Sequence, residues 1–148
     1  MDYLLDTNIV LAYIRQDKRV QLVDERYDPL SESNAAIISI VTVGEIKSIA
    51  IRNNWGDRKL ELLETLLNQF IVADINVKSV VERYAQIDAF SQGRLKDEKS
   101  TFTARNMGKN DLWIAATASV LDVPLITTDR DFAHLNTKFL KLEEVKLI

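Results

Sequence analysis

The sequence predicts an α/β domain in which a mainly parallel sheet is covered by helices on both faces. Two observations carry that expectation. Short apolar runs with strand character recur along the chain, and longer helical patterns separate them. A strand–helix–strand unit closes as a right-handed crossover between parallel strands, and its helix covers one face of the sheet. A third observation concerns continuity: prolines stand only at Pro29 and Pro124, and no repeat or low-complexity tract divides the 148 residues, so a single domain over 1–148 is expected.

YLLD at residues 3–6 reads as the first strand, and a helix follows from near Asn8. AAIISIV at 35–41 is the second strand. The next helix, 43–53, places Val43, Ile46, Ile49 and Ala50 on one face, and a second, 58–70, does so with Leu60, Leu63, Leu66 and Leu67. Together they predict a helical hairpin. FIVAD at 70–74 is the third strand, and 77–92 returns to helical spacing with Val77, Val80, Val81, Tyr84, Ile87 and Phe90. KNDLWIAATA at 109–118 opens a helix that would bury Ile114, Ala115, Ala118 and Leu121. PLITT at 124–128 is the fourth strand, and the tail FLKLEEVKLI at 139–148 predicts an edge strand.

Composition narrows the function. The chain is 47% hydrophobic and 28% charged, as expected of a folded globular protein. It has no cysteine, which excludes disulfides and Cys-ligated zinc and fits a reducing compartment. No basic segment precedes an apolar one at the start, and no apolar run reaches the roughly 18 residues of a membrane span, so a cytoplasmic protein without membrane contact is expected. A net charge of −3 argues against holding nucleic acid by bulk positive charge. A local basic patch exists in GRLKDEKSTFTARNMGK, residues 93–109, with Arg94, Lys96, Lys99, Arg105 and Lys109 against Asp97 and Glu98.

Parallel strands all end at one edge of their sheet, and ligands bind outside that edge. Asp6 closes the first strand, Glu45 lies shortly beyond the second, and Asp129 follows the fourth. Asp111 joins them because a crossover helix runs antiparallel to the strands and starts at the same edge. Each acid also has a simpler role. Thr42 and Glu45 match a T-x-x-E capping box, and Asp6, Asp111 and Asp129 could each sit at a positive helix N-terminus. Capping alone does not require charge, however, since Ser, Thr or Asn would serve without repulsion. Carboxylates gathered this way raise one another's pKa, and a cation is needed to keep all of them ionised. With oxygen donors only, Mg²⁺ or Mn²⁺ fits better than zinc. His134 lies away from the motifs and reads as a surface or partly buried histidine beside Phe132 rather than a ligand. Such a metal serves phosphate-ester chemistry, and no Gly-rich phosphate loop points to nucleotides instead.

Four motifs in order, DTNIVLAYI, VTVGEI, GKNDLWIAATA and LITTDRDF, resemble those of PIN-domain nucleases, particularly the VapC-like toxins of toxin–antitoxin pairs. The resemblance runs from Asp6 to about Phe132. It implies a three-layer α/β/α sandwich and an endoribonuclease that cleaves RNA with Mg²⁺ or Mn²⁺ and a metal-activated water. It makes Asp6 and Asp111 the principal metal ligands and Glu45 and Asp129 the rest of an acidic quartet, with Asn8 and Thr127 as supporting or substrate-positioning groups. Asp131 competes with Asp129 for the fourth place. The resemblance also implies a small antitoxin partner and a homodimer.

Arg105 and Lys109, beside the acidic edge, are the candidates for holding backbone phosphate, against the plainer reading of a solvated loop. Trp113 reads as a packing residue rather than a base-stacking platform. Two other functions fit parts of the pattern: a catalytically silent module that binds RNA or protein, and a phosphatase with Asp6 as nucleophile. The latter would want D-x-D after the first strand, where this chain has Asn8 in the third position.

Overall fold

The computed structural model describes residues 1–95 and 102–146. Lys96, Asp97, Glu98 and Lys99 of the basic segment, and the last two residues of the predicted tail strand, lie outside them. Five strands, β1 (Asp2–Leu5), β2 (Ala35–Ser39), β3 (Ile71–Ala73), β4 (Leu125–Thr127) and β5 (Leu142–Glu144), form one sheet in the order β3-β2-β1-β4-β5. Every pairing is parallel, with Leu4 in register with both Ile37 and Leu125. The chain moves outward from β1 to β3, then returns to the other side of β1 to place β4. That reversal makes the carboxyl ends of β1 and β4 a topological switch point, where open α/β sheets leave a crevice.

The helices are α1 (Thr7–Arg15), α2 (Arg19–Arg26), α3 (Ile40–Arg52), α4 (Asp57–Leu67), α5 (Lys78–Ser91) and α6 (Lys109–Leu121). Strand residues alternate between two cores, as a period of two dictates. Tyr3, Leu5, Ala36, Ile38 and Ile126 meet α1, α3 and α4 on one face, while Leu4, Ile37 and Leu125 meet α5 and α6 on the other. The result is the expected three-layer sandwich. In α6 every residue from Ile114 to Ser119 is buried, so that helix is held on nearly all sides. Trp113 packs its ring 4.2 Å from that of Tyr84, in agreement with its reading as a packing residue.

Several local expectations are corrected. α2 was not anticipated: its sequence RVQLVDER is mostly charged, and Val23 is its one fully buried residue, so no apolar stripe announces it. β2 ends at Ser39 rather than residue 41, because the Ser39 hydroxyl accepts a hydrogen bond from Val41 N at 3.2 Å and caps α3 there. The start of α3 therefore precedes Thr42, and Thr42 to Glu45 is not a capping box. Val77, Val81, Leu60 and Leu121 are exposed: Val77 is the N-cap of α5 and Leu121 the last residue of α6, at the ends of the packed stretches, while Val81 and Leu60 fall beside the faces that α5 and α4 bury. Gly44 interrupts α3, which costs roughly 1 kcal/mol relative to Ala. A β carbon built there would meet nothing within 4 Å.

Candidate active site

At the switch point, Asp6 follows β1 directly and is 3% exposed. Its Oδ1 accepts from Thr7 N at 2.8 Å, capping α1, and its Oδ2 accepts from the Thr127 hydroxyl at 2.7 Å across the β1–β4 junction. The same Thr127 oxygen accepts from Asp129 N at 2.9 Å, so one side chain at the end of β4 orients two acids. Asp129 Oδ1 in turn accepts from Asp131 N at 2.8 Å and caps the 3-10 helix Arg130–Leu135. The simpler capping roles of Asp6 and Asp129 are thus real, but they leave lone pairs free on both carboxylates.

Glu45 arrives from the second turn of α3. Its Oε1 accepts from the Thr7 hydroxyl at 3.0 Å, and the Thr7 oxygen lies 3.0 Å from that of Thr42. Thr7 and Thr42 are both buried. These threonines were not singled out as site residues from sequence, because their meeting joins residues 35 positions apart. Asp111, in the first turn of α6, is half-buried and accepts no hydrogen bond among the described residues.

Electrostatics links these groups. Burial, opposed by the bonds from Thr127 and Thr7 and helped by the charges of Asp129 and Glu45, pushes Asp6 up to about 6. Burial and the charges of Asp6, Asp129, Glu45 and Asp131 push Asp111 up to about 7. Asp111, Asp129 and Asp131 each offer a carboxylate oxygen within 4.8 Å of the others. Asp6 lies outside that tightest triple, though its charge acts on Asp111. All the donors are oxygens, two of the carboxylates, Asp6 and Asp111, carry raised pKa values, and three gather within 4.8 Å of one another. That chemistry fits a hard divalent cation, which needs carboxylates and leaves room for waters.

The remaining predicted positions are less central. Asn8 is exposed and makes no hydrogen bond to the acids among the described residues. Lys109 begins α6, two residues before Asp111, and is exposed. Arg105 is also exposed; its backbone N donates to Ser91 O at 2.6 Å, and its charge bears on His134. His134 is half-buried, with Nε2 2.7 Å from the Ser91 hydroxyl. Burial and Arg105 hold its pKa below the ordinary value, against a backbone hydrogen bond and the charge of Asp131, so the ring touches the edge of the acidic cluster rather than lying away from it.

The profile of the PIN domain family matches residues 3–138. The chain belongs to the PIN-domain family. Among curated relatives, this PIN-domain protein is 28% identical to Ribonuclease VapC1 of Haemophilus influenzae strain R2866 over 127 residues, 86% of each chain. It is 29% identical to Ribonuclease VapC5 of Mycobacterium tuberculosis over 133 residues, covering 90% of this chain and 87% of the relative. Its fold is similar to that of VapBC-1 from nontypeable Haemophilus influenzae, with a TM-score of 0.73, 24% identity and coverage of 97% and 98%. It is also similar to VapBC2 from Rickettsia felis bound to a promoter DNA fragment, with a TM-score of 0.71, 20% identity and coverage of 99% and 100%.

In this PIN-domain protein the Thr127 hydroxyl is the most testable support of the acids. Thr127→Val keeps the shape and removes both the bond to Asp6 and the acceptor for Asp129 N. The expected result is a drop of about 10- to 100-fold in divalent-ion affinity, the usual cost of losing a group that orients metal ligands. Isothermal titration with Mn²⁺ measures it, and unchanged affinity would remove Thr127 from the site.

Proposed function

We infer that this PIN-domain protein is a divalent-metal-dependent endoribonuclease, folded as one domain over residues 1–148. It acts in the cytoplasm as the toxin of a type II toxin–antitoxin pair, is a homodimer, and is held in check by a small antitoxin protein. The observation that carries the reading is the gathering of Asp6, Glu45, Asp111 and Asp129 from four separate segments at the carboxyl ends of the parallel strands. The relatives named as VapC ribonucleases, and the neighbours whose titles describe VapBC complexes, support it.

Asp6 and Asp111 are the principal ligands for Mg²⁺ or Mn²⁺, with Glu45 and Asp129 completing the set. Asp129 holds the fourth place because its charge reaches both Asp6 and Asp111, whereas that of Asp131 figures only at Asp111. Asp131 stands beside the set as an accessory carboxylate. When bound, the ion supplies charge neutralisation and Lewis acidity for hydrolysis of a phosphodiester. The chain supplies rigidity: Thr7 and Thr127 lock Asp6, Thr7 also locks Glu45, and the buried α6 presents Asp111 from a fixed helix. Lys109 and Arg105 hold backbone phosphate near the cleft, while Asn8 assists the substrate from the exposed side of α1.

The test is cleavage of single-stranded RNA in Mg²⁺ against EDTA, with Asp6→Asn and Asp111→Asn alongside the parent. Cleavage that needs the ion and is lost in both variants is expected. Cleavage that persists in EDTA or in both variants would rule this site out.

A further inference from the structure

Beside Glu45 a groove of about 460 Å³ opens between α3 and the first turn of α6. Its long wall is one stripe of α3 at the i, i+3, i+4, i+7 spacing: Glu45 at the acidic end, then Ser48 and Ile49, and Arg52 at the far end. Asn110, the residue before Asp111, lines it from the opposite side.

Three properties of this groove have no explanation in the packing of the fold. Gly44 lines it from inside a helix, where glycine is unfavourable. Its φ is not positive and no neighbour crowds the space a side chain would take, so neither backbone conformation nor close approach calls for glycine. What the missing side chain does is leave the groove open next to Glu45. Arg52 is exposed and forms no ion pair among the described residues. The C-terminal end of a helix favours a cation there, but its place in the stripe also puts it about 10 Å along the helix from Glu45. Ser48 and Asn110 bring hydrogen-bonding groups that no protein partner engages among the described residues, over apolar contacts with Val41 and Ile49.

A cation at one end, free polar groups between and apolar contacts along the wall suit a flexible polyanion with flat apolar faces, leading to the acid cluster at the other end, which receives a phosphate only with a divalent ion in place. We propose that this groove holds single-stranded RNA on one side of the phosphate to be cleaved. Arg52 takes a backbone phosphate, Ser48 and Asn110 take sugar or base edges, and base faces lie against Val41 and Ile49. The proposal rests on the ribonuclease reading for its substrate class and adds a path to it. Gly44 is in effect a gate kept open by the lack of a side chain.

The experiment measures fluorescence anisotropy of a labelled, single-stranded RNA of mixed sequence with the full chain carrying Asp111→Asn, which blocks turnover and removes one repelling carboxylate. Arg52→Ala added to this parent is expected to weaken binding about tenfold and to reduce the salt dependence by about one counterion. Gly44→Leu is expected to weaken it about tenfold or more while the melting temperature holds or rises, since leucine is the better helix former and has open space. Affinities and salt slopes within about twofold of the parent in both variants would overturn the proposal and leave the groove to a protein ligand. Failure of the parent to bind RNA would overturn it as well. Cleavage by the unsubstituted protein is read separately: if that fails while the variants still lose RNA, the ribonuclease reading falls and the groove stands.

Discussion

Replacing Asp111 with Asn is expected to stop RNA cleavage and, in EDTA, to make the protein more stable. Both effects come from one charge. Asn keeps the shape of the side chain but cannot supply an anionic ligand, and losing electrostatic help of this kind typically costs on the order of 10³-fold in rate. Without a cation, the same carboxylate is a liability to the fold. Burial and four neighbouring acids push Asp111 up to about 7, so its charge is resisted near neutral pH. Discounted for its partial exposure, the relief is about 1 kcal/mol, which raises the melting temperature by roughly 2–4 °C in a chain of this size. Initial cleavage rates and thermal melts in EDTA measure the two effects. A variant that cleaves at the parental rate, or one that melts lower than the parent, would show that the carboxylate is not held against its neighbours.

Between pH 5 and pH 8 the metal-free protein is expected to lose stability as pH rises, and saturating Mg²⁺ is expected to abolish that loss. The sign follows from linkage. Asp6 is raised from the ordinary 3.8 to about 6 and Asp111 to about 7, so the folded state binds protons that the unfolded chain has already released. Their contribution to stability is full below about pH 4 and is lost as pH climbs through 6 and 7. For the deeply buried Asp6 the full shift corresponds to about 3 kcal/mol. His134 opposes the trend at the acid end, because its folded pKa lies below the ordinary 6.5 and protonation disfavours the fold. The discriminating measurement is the pH profile of thermal melts in EDTA for the parent and for Asp6→Asn with Asp111→Asn. The parent profile should fall and the doubly substituted one should lose most of that slope. Equal slopes would place the pH dependence elsewhere.

What could be read in advance depended on how local the cause was. The apolar runs of β1, β2 and β4 alternate between two buried faces, and that period survives in the one-dimensional chain. Acids at the ends of those runs inherit a common location from parallel topology, so Asp6, Asp111 and Asp129 were visible without coordinates. α2 was not, because a helix anchored mainly by Val23 carries no stripe. Thr42 was misassigned because T-x-x-E is a true local pattern, and only the hydroxyl of Ser39, one turn earlier, decided where α3 begins. The support of Asp6 by Thr127 spans 121 residues, and that of Glu45 by Thr7 spans 38. The closeness of Asp131 to Asp111 depends on how the 3-10 helix turns back after β4.

The linear chain by itself determined the layered α/β fold, the edge of the sheet where charge collects and the oxygen-only character of the side chains gathered there. Periodicity and strand-end position are properties of neighbours in sequence, and parallel crossovers leave few ways to arrange them. Tertiary structure alone decided which hydroxyl holds which carboxylate, how far each pKa is raised, and that Gly44 opens onto a groove running to Arg52. Those facts depend on register between strands and on the space between two helices, quantities set by packing across the whole molecule rather than by any segment of it.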